Sequence, residues 1–156
     1  MRYFLLFFAA FLIFSCRKQH DANCSPVMPA AESASIASFC RSNGINYTID
    51  TNGIYYQVLD PGTGSRPQMS SVITATYKTS LLSGQIIDTS HLTTPVVLPL
   101  SQFIEGLRIA IPYIQKGGHI KMVIPSFLAY GCTGIDNLVP GNSPLYYDFL
   151  LLDISN

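Results

Sequence analysis

"VITATYKTSLLSGQIIDTS", residues 72–90, is the stretch whose reading decides the fold. Ile73, Ala75, Tyr77, Thr79 and Leu81 alternate with Thr74, Thr76, Lys78 and Ser80. A period of two predicts a strand with one face buried and one face in water. Ser83 and Gly84 mark a turn, and residues 85–88 read as a short returning strand. A connection that short favours antiparallel pairing, so the hairpin sets the expectation for the rest of the sheet.

Other segments repeat the pattern. "IYYQVL" (54–59) is β-branched and aromatic, between Asn52-Gly53 and the turn cluster "DPGTGSRP". Residues 96–100 form another apolar piece. In "HIKMVIP" (119–125), Ile120, Met122 and Ile124 alternate with His119, Lys121 and Val123, and Leu145, Tyr147, Phe149 and Leu151 alternate near the C-terminus. Between these strands, Phe103, Ile104, Leu107, Ala110 and Ile111 recur at three and four, with Ser101 an acceptable N-cap and Pro112 a boundary. The expected fold is α+β, a twisted antiparallel sheet wrapped around one short helix. Upstream, Ile36, Phe39 and Cys40 predict a short helix over 34–42, closed by Asn43-Gly44, that either packs on the domain or hangs free.

The chain divides into three parts. Residues 1–15 carry Arg2 and the apolar run "YFLLFFAAFLIF", too short for a membrane span and suited to a signal peptide. Ile13-Phe14-Ser15-Cys16 resembles a bacterial lipobox, which makes Cys16 a lipidation candidate and places the protein in the cell envelope, periplasm-facing or at the outer membrane. An ordinary cleaved signal, with Cys16 a bystander, is the other reading. A lipidated cysteine carries more than one acyl chain, enough for stable anchoring at ~0.8 kcal/mol per buried methylene. Residues 16–52 read as a tether with the short helix, since 17–33 are polar and small with Pro26 and Pro29, and residues 53–156 read as the folded domain. Beyond Cys16, Cys24, Cys40 and Cys132 remain, and an odd count leaves at least one thiol unpaired in a monomer. Cys24 can pair with Cys40 only if the fold brings them within reach.

Charge excludes some functions. Nine basic and nine acidic residues balance, and Arg17-Lys18 is the largest basic cluster, which speaks against a nucleic-acid partner. No cysteine or histidine spacing resembles a metal site, no Gly-rich loop opens a helix to cradle phosphate, and His20, His91 and His119 form no nucleophile–base pattern. No metal and no cofactor is implied. Asp88 is the one acid expected to border an apolar surface, as a pocket residue or as a turn cap with Thr89 or Ser90. Tyr130 stands directly before Gly131 at the mouth of a Gly- and Pro-rich loop, either reaching into a groove or plugging the end of the sheet.

"VITATYKTSLLSGQIIDTS", "FIEGLRIAIPYIQKGGHIKMVIP", "LAYGCTG" and "VPGNSPLYYDFLLLDI" together, in this order, resemble the FKBP-type peptidyl-prolyl cis-trans isomerase family over residues 53–154. The resemblance implies a five- to six-stranded antiparallel sheet around one short helix and a proline-containing peptide bound between helix and sheet, with unfolded exported proteins as partners. It assigns Tyr77 and Asp88 to the pocket, the Ile104 amide and the Tyr130 hydroxyl to substrate carbonyls, and Ile87, Val96, Leu98, Leu107, Val139 and Tyr147 to the pocket wall. Ile87, Val96 and Leu98 stand where the family usually has aromatics, and Leu107 where a pocket-floor tryptophan is typical. Those exchanges imply a shallower apolar pocket. A rival reading therefore keeps the groove and drops the turnover, as a chaperone or peptide-binding module.

Overall fold

The computed structural model describes residues 24–155; the expected signal segment and Cys16 lie outside them. Strands β1 (Thr48–Ile49), β2 (Tyr55–Asp60), β3 (Val72–Leu81), β4 (Ile86–Thr89), β5 (Val96–Pro99), β6 (His119–Ile124) and β7 (Leu145–Ser155) join in one antiparallel sheet. The order is β1-β2-β6-β7-β3-β4, and β5 also pairs with β3. There are seven strands rather than five to six. The two-residue β1 adds an edge, and β3 is long enough to pair with β5 along 72–75 and with β4 along 78–80.

The alternation read in β3 and β7 places their apolar sets side by side. Ala75 faces Leu151, Tyr77 faces Phe149 and Thr79 faces Tyr147 across the ladder. With Ile120, Met122 and Ile124 of β6 they make a surface on which Leu107, Ala110, Ile111 and Ile114 are buried. Helix α2 is Glu105–Ala110, shorter than its apolar period suggested, with Ile104 and not Ser101 at the N-cap. Ser101 belongs to a separate 3-10 turn, Leu100–Gln102, because Phe103 and Ile104 are both extended and break the run. Gly106 brings α2 close to the sheet: a Cβ there would collide with the Ile124 side chain.

The opposite face of the sheet is covered at one end. Helix α1, Pro29–Ser42, begins with proline in its first turn, where a missing N–H costs nothing. It takes up residues 29–33 of the expected tether and packs on the body. Ile36 and Cys40 are fully buried there with Ile45, Tyr55 and Val123, and the Phe39 and Tyr146 rings stand 5.4 Å apart. Val123 and Ser80, which alternation alone put on the wet face, are therefore buried. Glu32, also buried, is satisfied by the Ser126 amide at 2.8 Å and the Ser126 hydroxyl at 2.5 Å, as a buried carboxylate requires.

Cys24 does not pair with Cys40. It is bonded to Cys132, 108 residues away, with Cα atoms 5.4 Å apart. Cys40 is a free thiol on the buried side of α1, and burial pushes its pKa up to about 11.

Candidate active site

Where α2 stops covering the sheet, a cleft of about 360 Å³ remains. One wall is apolar, made by Ile87 of β4, Leu98 of β5, Phe103, Leu107 and Leu138. The rest of the lining carries oxygen: Tyr77 and Thr79 of β3, Asp88 of β4, Tyr147 of β7, and Tyr130 of the loop between β6 and β7. Ile104 sits at the rim as the α2 N-cap, and its carbonyl accepts from the Leu107 and Arg108 amides.

Asp88 is held from two sides. Its Oδ2 accepts from the Tyr77 hydroxyl at 2.5 Å, and its Oδ1 from the Thr89 amide at 2.8 Å, so it borders the pocket and caps the turn at once. The Tyr77 backbone is pinned to the same turn, its amide donating to Ser90 Oγ at 3.0 Å and its carbonyl accepting from the Ser90 amide at 2.9 Å. The ring stacks on Phe149, 6.3 Å between centroids and 7° from parallel, and stands tilted against Tyr147. Burial, then the hydrogen bond to Asp88, raises the Tyr77 pKa well above that of a free phenol. Burial, then the charge of Asp88, raises Tyr130, and burial does the same for Tyr147. All three phenols are neutral hydrogen-bond donors at any ordinary pH.

Tyr130 is placed by its loop. Gly131 takes φ +59, a conformation open to glycine at little cost, and its amide donates to the Ser126 carbonyl at 2.8 Å. The Asn142 amide donates to the Gly131 carbonyl at 2.8 Å, and the next residue, Cys132, is bonded to Cys24. The ring lines the cleft rather than merely plugging the sheet.

Of the site residues expected from sequence, Tyr77, Ile87, Asp88, Leu98, Ile104, Leu107, Tyr130 and Tyr147 converge on this cleft. Val96 and Val139 do not. Val96 pairs with Ala75 and packs on the core, while Val139 is buried behind the loop, bonded to Ile135 through both backbone groups. Thr79, Gln102, Phe103 and Leu138 line the cleft without having been singled out. Thr79 shares the alternation of Tyr77 and was legible on that ground; Leu138 sits in an aperiodic loop that gives no signal.

An antiparallel sheet on one short helix, with tyrosines and an aspartate at the mouth of an apolar cleft, defines a class, and comparison with known proteins gives it a name. The sequence model of the FKBP-type peptidyl-prolyl cis-trans isomerases matches residues 64–152, and the chain belongs to that family. It is 36% identical over 117 residues to the FKBP-type peptidyl-prolyl cis-trans isomerase FkpA of Escherichia coli K12, covering 74% of this chain and 42% of FkpA. It is 29% identical over 104 residues to the peptidyl-prolyl cis-trans isomerase Mip of Coxiella burnetii, covering 66% of this chain and 45% of Mip. The chain thus spans less than half the length of these curated relatives. The crystal structure of E. coli FkpA superposes with a TM-score of 0.70 at 33% identity, over 81% of this chain and 61% of that one. A peptidyl-prolyl cis-trans isomerase from Pseudomonas syringae pv. tomato gives 0.69 at 27% identity, over 85% of this chain and 99% of that one.

Proposed function

We propose that the cleft catalyses cis-trans isomerisation of Xaa-Pro bonds. The observation that carries the reading is the convergence of Tyr77, Asp88, Ile104, Tyr130 and Tyr147 on one apolar cleft. Rotation about a prolyl bond meets a barrier of ~18–20 kcal/mol and breaks no bond, so it needs neither nucleophile nor proton relay. The planar amide is more polar than the twisted one, and transfer from water to a wall of Ile87, Leu98 and Leu107 raises it more than the transition state. The Tyr130 hydroxyl and the Ile104 amide hold the flanking backbone, which leaves rotation about the prolyl bond as the free coordinate.

Exchange NMR on an Ala-Leu-Pro-Phe peptide tests the proposal. Acceleration that drops on Tyr130→Phe or Asp88→Ala supports it; no acceleration by the folded protein removes it, and peptide binding without acceleration transfers the cleft to the chaperone reading.

The same reading takes residues 1–15 as a signal, Cys16 as a lipid attachment point and 53–156 as the isomerase domain, with exported proteins in the bacterial envelope as substrates. The sequence around Cys16 supports the anchor. Mass spectrometry of the mature N-terminus decides it: a diacylglycerol-modified Cys16 is the expected species, and a free N-terminus elsewhere removes the anchor.

A further inference from the structure

Gly131, the residue after Tyr130, is held at both of its backbone groups, and each anchor is in turn held by the segment ahead of the sheet. Its amide donates to the Ser126 carbonyl, and Ser126 gives its own amide and hydroxyl to the Glu32 carboxylate at 2.8 and 2.5 Å. Its carbonyl accepts from the Asn142 amide, and Asn142 Oδ1 accepts from the Val27 amide at 3.3 Å. Cys132, the next residue, is bonded to Cys24. The Ser126 carbonyl also accepts from the Ala129 amide at 3.0 Å, so both neighbours of Tyr130 hang on one carbonyl.

Of these ties, the one through Glu32 lies out of water: Glu32 is 6% exposed and Ser126 fully buried, whereas Cys24 and the Val27 contact are exposed. A hydrogen bond away from water is the stronger and the costlier to lose. Two bonds to one carboxylate fix Ser126 in a single orientation, its carbonyl included. Glu32 itself does not line the cleft, and it lies upstream of residues 64–152, the part that the family model matches. Resting on the isomerase reading above, we propose that Glu32 is a positioning residue for the reaction: through Ser126 it sets the loop that holds the Tyr130 hydroxyl where a substrate carbonyl will lie. The first turn of α1 then reaches the chemistry without touching the substrate.

The test sets Glu32→Gln, which leaves one acceptor for the two Ser126 donors, against Ile36→Ala, which loosens the same helix one turn further on. Exchange NMR on the Ala-Leu-Pro-Phe peptide gives kcat/KM with Tyr130 intact and in a Tyr130→Phe background. Thermal unfolding gives Tm, and amide hydrogen exchange reports on Gly131. With Tyr130 intact, Glu32→Gln is expected to weaken kcat/KM by about three- to tenfold. In the Tyr130→Phe background the further loss should stay under about twofold, since a residue that acts through a hydroxyl has nothing to place once the hydroxyl is gone. Ile36→Ala should lower Tm at least as far while kcat/KM per folded molecule stays level, so lost stability alone does not account for the fall. A kcat/KM for Glu32→Gln within about twofold of wild type, an equal loss in both backgrounds, or the same loss in Ile36→Ala overturns the proposal. If wild type accelerates nothing, the isomerase reading falls and hydrogen exchange alone decides. A Gly131 amide that exchanges faster in Glu32→Gln, while those of β3 and β7 do not, still supports the placement, and an unchanged one removes it.

Discussion

Helix α1 runs 14 residues over one end of one face of the sheet; helix α2 runs 6 residues across the other and leaves a cleft beside it. Both faces bury aliphatic side chains, yet only the α2 face keeps an aspartate and three tyrosines at an opening. Coverage that stops early is what makes a site here. Stability is expected to reside mainly in the large core between α2 and the sheet, with α1 adding a smaller one, and chemistry in the gap that α2 leaves.

Substitutions can break that division. Ile36→Ala, on the closed face, is expected to lower stability by about 2–5 kcal/mol in urea unfolding, while kcat/KM per folded molecule stays unchanged. A matching loss of turnover would mean that the two faces are coupled. Loss of the disulfide, by Cys24→Ser with Cys132→Ser, should lower stability by about 2–4 kcal/mol, since the bond closes a long loop of the unfolded chain. Because Cys132 lies two residues from Tyr130, this variant should also weaken turnover, and unaltered kcat/KM would show that the loop holds its shape through hydrogen bonds alone. Glu32→Ala strands the Ser126 amide and hydroxyl in a buried site and should cost about 1–3 kcal/mol, and here turnover should fall as well, through the loop that carries Tyr130.

On the open face the sizes reverse. Tyr130→Phe should reduce kcat/KM by roughly tenfold, the loss of about 1.4 kcal/mol of transition-state stabilisation, with a denaturation midpoint near that of wild type. A collapse of stability would make Tyr130 a structural plug. The smallest effect concerns pH. Tyr77, Tyr130 and Tyr147 all titrate above the ordinary phenol range, so their hydroxyls remain donors and turnover should be level from about pH 7 to 10. Above about pH 10 the unfolded chain releases phenol protons that the folded chain retains, so stability should fall as pH rises further. A stability curve that keeps level there would place these hydroxyls in water.

The open face was largely legible in the sequence, and the closed face was not. Tyr77, Ile87, Asp88, Leu98, Tyr130 and Tyr147 reach the cleft from strands or a strand-edge loop. Alternation gives the face of Tyr77 and Tyr147, whereas the resemblance to the FKBP family is what assigned Ile87, Asp88, Leu98 and Tyr130 to a pocket. Val96 pairs with Ala75, between the cleft residues Leu98 and Tyr77, and packs on the core instead, so its face alone did not decide its place. Val139 was misplaced because its loop follows no period. The burial of Ser80 and Val123 went unread for another reason: alternation reports one apolar face, and whether a distant segment covers the other is decided by α1, which lies elsewhere in the sequence. The pairing of Cys24 with Cys132 is of the same kind, a contact across 108 residues with no local signal.

That pairing also resets a length. With a lipid on Cys16, the leash between bilayer and folded body ends at Cys24 and not at the start of the sheet. Eight residues on from Cys16, fully extended, reach about 30 Å at most. The clamp holds the loop that carries Tyr130 at the near end of that leash. The disulfide thus joins the segment that follows Cys24 to the same loop that brings Tyr130 to the cleft.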